Sequence, residues 1–447
     1  MALTVLEKIK RLKKRNYENS FAVNKDLYRL LCQKELLFTA ARILNLNKAN
    51  LEGLPEKDIV GIIKNLKTQS FEFRPVKNIR RQKKTETLRP LSIHDLTGKV
   101  VEKAMLIILE SIYEPTFYDS SHGFRPGKTH HTALRDIRHW SSIEWVIEGK
   151  MQRCSEQMDH HILISILRLK IQDERFLNLI WKFLRSDVNE HGILKSGIPQ
   201  GCLLSPMLVN IYLNELDKFI SVLSKEFNNA TQSKNLESVG LNPILKNCIE
   251  QLRIIARDSF HTSFCRVRFV RYFDGWIVGV VGRKAFAEGI QTAINLFLLT
   301  KLKLDFSTEK SHILYFHSHK VDFLGFCIQI SKYSPKSKLY GELKVNIPTE
   351  KLVKRLAEEN FCTNLGRGIR KKGWIRYSDK VITLKYNRVL QGLRNYYWSA
   401  DNYDSSFKRI EHIIYFSWAH TLAGKHRTRI SKQLKRKKSL GLNLIFF

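Results

Sequence analysis

The sequence predicts an α/β fold that is followed by an all-α, strongly basic C-terminal part. Between about residues 76 and 330, helical patterns alternate with short runs of β-branched and aromatic residues, such as 145–147 and 266–279. From about residue 350 onward the apolar spacing is helical, and lysine and arginine become frequent. With 447 residues, 43% of them apolar, the chain can bury a sizeable core and should divide into several domains.

The charge of the chain indicates a polyanionic partner. The 76 Lys and Arg stand against 42 Asp and Glu, a formal net charge of +34. A compact protein tolerates such self-repulsion best when nucleic acid neutralises it, although a solvated basic surface or a membrane surface is an alternative. Residues 351–447 hold 22 Lys and Arg and 6 Asp and Glu, a net charge of +16, so we expect this end to contact phosphates.

Other compositional features narrow the class of protein. No apolar run reaches the roughly 18 to 20 residues that cross a bilayer, so no membrane partner is expected. The basic first 15 residues are interpreted as an amphipathic surface helix, with an organelle presequence as the alternative. The cysteines are odd in number, far apart and never in a CxxC pair, at Cys32, Cys154, Cys202, Cys248, Cys265, Cys327 and Cys362. This spacing predicts free thiols, and neither a disulfide framework nor a metal site.

Three motifs follow one another in the central part. Residues 88–91 read LRPL, residues 121–127 read SHGFRPG, and residues 196–217 read SGIPQGCLLSPMLVNIYLNELD. They resemble the LRPL, S-x-GFRPG and GTPQGGxLSPLLxNIYLxELD motifs of the reverse transcriptases that group II introns encode. The resemblance extends over about residues 80–429, and it implies a right-hand polymerase with fingers and palm followed by an all-α thumb and domain X. It also implies that a cleft turn, formed by Pro199, Gln200 and Gly201, faces the template and nucleotide.

Two strand ends carry the polymerase chemistry that this resemblance implies. In the family, two Mg²⁺ ions are held by an Asp ending a strand written IEGD and by an Asp pair on a hairpin written YADD. Here the same stretches read IEGK and YFDG, so Lys150 and Gly275 replace two carboxylates and Asp274 remains. Glu148 is displaced by roughly 6.6 Å of strand and is too far away to substitute. We therefore expect no useful polymerase activity, with tolerated variation in an active enzyme as the alternative.

The C-terminal stretches 381–402 and 413–427 resemble domain X of the maturases, which implies binding of intron RNA. A helical projection of the first stretch supports this, because its apolar and aromatic residues fall within one arc and its polar residues fall opposite. For this helix alone, an amphipathic helix with a solvated face is the alternative. We expect RNA contacts from the following cations: Arg388, Arg394, Lys425, Arg427, Lys435, Arg436, Lys437, Lys438, Arg80 and Arg81.

The sequence thus predicts a group II intron maturase of the degenerate organellar type. Its expected parts are an N-terminal helical region (1–75), fingers and palm (76–330), and thumb and domain X with a basic tail (331–438), without an endonuclease module. The expected partner is a group II intron RNA that carries its own Mg²⁺, with no cofactor or metal bound by the protein; a homodimer is a further candidate. An active polymerase of a mobile intron and a general organellar splicing factor are the alternatives. By analogy with degenerate relatives we expect an organelle, the mitochondrion before the chloroplast.

Overall fold

The structure, a computed structural model, describes residues 4–46, 56–81, 89–140, 142–151, 154–186, 188–189, 192–193, 197–228, 243–257, 265–305, 311–331, 342–432 and 435. The chain forms two compact units. The first comprises Met1–Asp136 and Ile143–Ile313, and the second comprises Ile137–Ser142 and Leu314–Phe447. The N-terminal helices therefore belong to the same unit as the fingers and palm, and the second unit begins before residue 331.

Helices and strands are numbered in chain order. The helices are α1 (Val5–Glu18), α2 (Leu27–Leu31), α3 (Lys34–Leu46), α4 (Glu56–Lys67), α5 (Leu96–Tyr113), α6 (His130–Arg138), α7 (Cys154–Gln157), α8 (His160–Arg168), α9 (Glu174–Leu184), α10 (Ser205–Asn228), α11 (Pro243–Arg257), α12 (Lys284–Lys301), α13 (Thr349–Glu358), α14 (Asp379–Tyr397) and α15 (Tyr403–His426). The strands are β1 (Pro75–Arg81), β2 (Arg89–His94), β3 (Trp145–Lys150), β4 (Val188–Asn189), β5 (Gly192–Ile193), β6 (Arg266–Tyr272), β7 (Gly275–Val281), β8 (Ser311–Tyr315), β9 (Val321–Phe323), β10 (Phe326–Ile330) and β11 (Leu343–Asn346).

Local sequence signals account for several helix starts. Thr4 and Glu7 form a capping box at the start of α1, which satisfies backbone N–H groups that have no partner inside the helix. Asp95 caps α5 by accepting from the Gly98 N–H at 2.7 Å, and Ser378 caps α14. None of the described helices is long and apolar enough to span a bilayer.

The centre of the first unit is a four-stranded sheet in the order β6-β7-β3-β8. The stretch 266–279 is a hairpin of β6 and β7 joined at Phe273 and Asp274, as the resemblance of YFDG to the family's YADD hairpin implies. Helices α10 and α12 belong to the hydrophobic core beside this sheet, where Phe219 and Phe297 stack with ring centroids 4.4 Å apart. The predicted α/β arrangement of the fingers and palm is confirmed.

The second unit is mainly helical, as predicted, and it also holds a three-stranded sheet in the order β11-β10-β9. Strand β11 lies in the part expected to be all-α; its alternating burial places Leu343 and Val345 inward and favours pairing with β10. Buried Tyr386 of α14 joins the long helices, because its hydroxyl lies 2.9 Å from Ser417 Oγ and 2.8 Å from Thr421 Oγ1 of α15.

Candidate functional site

The two substituted metal positions lie directly opposite each other in the central sheet. Lys150, the last residue of β3, pairs with Gly275, the first residue of β7. Asp274 lies in the turn before Gly275, and its carbonyl oxygen accepts a hydrogen bond from the Met151 N–H at 3.0 Å. The residues singled out by the sequence are therefore brought together at one strand end, and the cation at this end is exposed. Glu148 pairs with Ile277, two strand positions away, as expected.

The hairpin turn is held by the SHGFRPG segment. Phe273 has a left-handed φ of +59° and packs edge-on against Phe124, with ring centroids 4.9 Å apart. A Cβ at Gly123 would lie 2.4 Å from the Phe273 backbone nitrogen, so only glycine allows this close approach. The turn that carries Asp274 thus has a defined position.

Arg271, near the end of β6, holds the same turn in place through its side-chain hydrogen bonds. Arg271 has no exposed side-chain surface and uses all five of its N–H groups. Two bind the Asp217 carboxylate at 2.8 and 2.6 Å, and the others bind Asn210 Oδ1 at 3.0 Å, the Phe273 carbonyl at 2.9 Å and Ser121 Oγ at 2.7 Å. Arg271 therefore joins α10, the SHGFRPG segment and the turn. The sequence did not single out Arg271, because the motifs at this strand end pointed to the metal-ligand positions and not to the residues that hold the turn.

The PQG turn, residues 199–201, lies against the chain that follows Lys150. A Cβ on Gly197, whose φ is +96°, would lie 2.8 Å from the Glu156 carbonyl oxygen. The Gln200 amide donates to Glu156 Oε1 at 3.1 Å, and Gly201 also has a left-handed φ, of +92°. The left-handed φ at both positions, and the close approach of Glu156 at Gly197, explain why glycines occur there. They place the motif beside the degenerate strand end.

The acidic groups near this strand end have other partners. Glu156 accepts from Gln200, and Asp159 caps α8 and pairs with Lys303 at 3.2 Å. Burial, reinforced by the Asp274 charge, raises the pKa of the Cys154 thiol to about 12, so this thiol is protonated at neutral pH. Within the described ranges, the one set of three His, Cys, Asp or Glu groups close enough to share an ion lies elsewhere. Two-metal chemistry needs several carboxylate oxygens, and this strand end offers Asp274.

The polar face of α14 is the second candidate region. The projected arc is confirmed, with Tyr386 and Leu390 buried and Arg388 exposed. Two predicted RNA-binding cations are, however, engaged inside the unit. Arg394, whose side chain is 13% exposed, binds the Glu411 carboxylate at 2.6 Å.

The second engaged cation is Lys425 of α15. Its ammonium group donates to the Asp379 carboxylate at 2.7 Å and to the Tyr377 carbonyl at 2.8 Å. Lys425 thereby links the end of α15 to the start of α14. Like Arg394, it stabilises helix packing, so we expect both cations to contribute less to RNA contact than the sequence alone predicts.

An open pocket of about 920 Å³ lies near the end of α15. The basic residues that line it are Arg370, Lys372, His420, Arg427 and Arg429. Of these, only Arg427 was predicted from sequence; the density of arginines in this end of the chain was the available signal. Because the pocket combines cations with the apolar wall of Ile369 and Ala423, it is suited to a phosphate with its sugar or base.

An aromatic strip precedes α14. The Lys385 ammonium lies 5.3 Å from the Trp374 ring centroid and 4.7 Å from that of Tyr377. Arg376 donates to the Tyr377 hydroxyl at 3.3 Å, and this hydrogen bond lowers the pKa of the phenol. Cations interleaved with aromatic rings are the arrangement on which unpaired bases stack.

The remaining predicted cations are placed only in part. Arg80 and Arg81 lie in β1, paired with Pro90 and Arg89, and their side chains lie outside the described part of the chain. Lys435 is exposed. The other three tail residues, Arg436, Lys437 and Lys438, lie outside the described residues.

Comparisons with known proteins agree with this arrangement. A reverse transcriptase (RNA-dependent DNA polymerase) family model matches residues 81–328, and a type II intron maturase model matches residues 340–444. The chain is 32% identical to the group II intron-encoded protein LtrA of Lactococcus lactis, over 95% of this chain and 79% of that protein. It is 29% identical to the putative COX1/OXI3 intron 2 protein of Saccharomyces cerevisiae, over 96% of this chain and 55% of that protein. It is 27% identical to the uncharacterized mitochondrial protein ymf11 of Marchantia polymorpha, over 75% of this chain and 55% of that protein. A reverse-transcriptase palm followed by a maturase domain, together with the LtrA similarity over nearly the whole chain, means that this protein belongs to the group II intron-encoded maturases.

Proposed function

We propose that this maturase works without DNA synthesis of its own. It binds a group II intron RNA, holds the active fold of that RNA, and leaves the chemistry to the RNA and its Mg²⁺. The observation that carries the proposal is the pairing of Lys150 with Gly275 across β3 and β7, where a polymerase needs metal carboxylates. A cation at a metal position also repels Mg²⁺.

The preserved surroundings of the degenerate centre support a binding role for the fold. Arg271 and Asp217 still hold the hairpin, and Gly123 still allows its close approach to the SHGFRPG segment. Losing metal coordination removes several kcal/mol of transition-state stabilisation, and about 4 kcal/mol is roughly a thousandfold in rate. A protein that keeps the polymerase fold but loses this much of the rate of DNA synthesis would use the fold to bind RNA.

The RNA surface that we propose lies on the second unit. The arginines that we assign to it are Arg370, Arg388, Arg427 and Arg429, which are exposed and have no ion pair among the residues described. Phosphate contacts by such cations release counterions and supply affinity. The strip of Trp374 and Tyr377 adds stacking for unpaired bases, a common mode of RNA recognition.

We also propose that the protein acts in an organelle, and in the mitochondrion before the chloroplast. The support is that the relative from Marchantia polymorpha is a mitochondrial protein by its name. Fractionation of source cells, followed by immunodetection of the native protein, tests this placement. Recovery in the chloroplast fraction would reverse the order of the two organelles.

A paired assay tests the proposed function. Precursor RNA containing the cognate intron is incubated at a Mg²⁺ concentration at which the RNA alone splices slowly, and the same protein is offered a primed RNA template. We expect faster splicing and no primer extension. Unchanged splicing, or cDNA synthesis that Asp274→Ala abolishes, would contradict the proposal.

A further inference from the structure

A buried cluster of three side chains lies in the first unit. It joins His94 at the end of β2, Glu102 in α5 and Cys202 just before α10. His94 and Glu102 have no exposed surface, and Cys202 is 8% exposed. His94 Nδ1 lies 2.7 Å from Glu102 Oε1 and 3.5 Å from Cys202 Sγ. One potential ligand atom from each of the three groups lies within 4.8 Å of the other two.

The hydrogen bonds around His94 select the nitrogen that faces Glu102 and Cys202. The Ser186 hydroxyl donates its one proton to the Phe183 carbonyl at 2.7 Å. Ser186 Oγ therefore accepts from His94 Nε2–H, at 2.8 Å. Nδ1 is the nitrogen directed at Glu102 and Cys202; its 2.7 Å contact with the Glu102 carboxylate is a hydrogen bond with a proton between the two atoms, and a bound metal ion would displace that proton. Histidines that bind metals usually donate their other ring N–H to such a second partner, which fixes the tautomer.

The carboxylate of Glu102 is oriented in the same way. Its Oε2 atom accepts from the backbone N–H groups of Leu203 and Leu204, at 2.7 and 3.3 Å. Oε1 is thus left directed at His94. Because the two backbone donors follow Cys202 directly, the same turn that supplies the thiol also holds the carboxylate.

We propose that His94, Glu102 and Cys202 bind a divalent transition-metal ion, with Zn²⁺ as the expected ion. A carboxylate and a thiolate balance the two positive charges of the ion, and the imidazole contributes a neutral donor. Buried charges are costly unless they are paired or bind metals, so an ion here compensates both acidic groups at once. Nitrogen and sulfur donors favour zinc over Mg²⁺ and Ca²⁺, which prefer oxygen ligands.

Two of the three distances between donor atoms can be compared with those around a tetrahedral zinc ion; the third, from the Glu102 carboxylate to Cys202 Sγ, is at most 4.8 Å. Zinc bond lengths put a nitrogen and a sulfur ligand about 3.6 Å apart, and a nitrogen and an oxygen ligand about 3.3 Å apart. The His94–Cys202 distance of 3.5 Å already fits, and the His94–Glu102 distance of 2.7 Å must open. Oε1 has to move by about 0.6 Å, which a rotation of the carboxylate about its fixed Oε2 can provide. A water molecule would have to complete the tetrahedral set as the fourth ligand.

The ion would join β2, α5 and the segment between the PQG turn and α10, and so stabilise the fingers and palm independently of polymerase Mg²⁺. Cys202 stands where the family motif GTPQGGxLSP has glycine. The site is thus a property of chains that carry this cysteine, and it needs neither splicing nor polymerase activity to be observed.

The test uses the full-length protein, stripped with a chelator and titrated with Zn²⁺ and with Co²⁺. We expect stoichiometric Zn²⁺ by mass spectrometry, a thiolate-to-cobalt absorption band, and a melting temperature that rises with added Zn²⁺. Cys202→Ser should weaken metal binding by on the order of a hundredfold or more, since even partners of ligands contribute about 10 to 100-fold. Cys202→Gly, which restores the family residue, is a second variant that should fold without binding the ion.

Cys265 provides the matched control, because it is a buried cysteine that is also 8% exposed. Cys265→Ser should keep the cobalt band and the response of the melting temperature to Zn²⁺. Two results would overturn the proposal. One is a wild-type protein that binds no stoichiometric ion and melts alike with and without Zn²⁺, which would leave a hydrogen-bonded pair of His94 and Glu102. The other is a cobalt band that persists in Cys202→Ser.

Discussion

Arg271 and Asp217 form a two-point ion pair in which neither side chain is exposed, with N···O distances of 2.8 and 2.6 Å. Removing one partner of such a pair leaves a buried charge uncompensated and usually costs about 3–5 kcal/mol. We therefore predict that Arg271→Met lowers the free energy of unfolding by this amount, measured by urea denaturation. The double variant Arg271→Met, Asp217→Leu should lose less of the free energy of unfolding than the single variant. A single variant within about 1 kcal/mol of wild type would show that the pair is not the anchor of the hairpin.

The degenerate strand end gives the second prediction. The wild-type protein should extend no primer on an RNA template with Mg²⁺ or Mn²⁺, because Lys150 and Gly275 occupy metal positions. Restoring both carboxylates in Lys150→Asp, Gly275→Asp should create Mn²⁺ binding, detected by electron paramagnetic resonance, because the hairpin is already held in place. Lys150→Gln, Gly275→Asn is the matched uncharged control. Wild-type cDNA synthesis that disappears in Asp274→Ala would show that the protein is an active enzyme.

The parts of this site that could be predicted from the sequence are those that lie in short contiguous motifs. Lys150 and Gly275 end short contiguous motifs, so their pairing could be anticipated although they belong to distant segments. The projection of α14 gave the exposure of Arg388, but a single helix does not reveal its neighbour, and Glu411 of α15 engages Arg394. The cluster of His94, Glu102 and Cys202 was missed because its members lie up to 108 positions apart and only the fold brings them together.

A third prediction follows because the polymerase fold is present while two of its metal carboxylates are missing. Asp274→Ala should leave the rate of splicing of the cognate intron nearly unchanged, measured with precursor RNA at limiting Mg²⁺. The reason is that Asp274 alone cannot hold two metal ions. The melting temperature of the variant is measured alongside as a control for folding. Loss of splicing in a folded variant would reveal a role of Asp274 in the RNA complex.

The last prediction concerns where the RNA-binding energy lies. Each neutralised phosphate contributes about −0.7 to the slope of log K against log salt for single-stranded nucleic acid. Replacing the exposed residues Arg370, Arg388, Arg427 and Arg429 by Gln should therefore flatten the slope by about two to three units and impair splicing. Because these side chains are exposed, the free energy of unfolding should change by no more than about 0.5 kcal/mol each.

The matched control is the pair of engaged cations, Arg394→Gln with Lys425→Gln. These substitutions break ion pairs with Glu411 and Asp379, so they should lower the melting temperature while leaving the salt slope nearly unchanged. A fingers variant at Arg80 and Arg81 is titrated beside both, over several salt concentrations. Per replaced cation, the variant of the four exposed arginines should flatten the slope of log K against log salt more than the fingers variant does. The opposite result is a flatter salt dependence in the fingers variant and an unchanged one in the variant of the four exposed arginines. RNA would then bind chiefly to the first unit, and the proposed surface around α14 and the pocket at the end of α15 would be wrong.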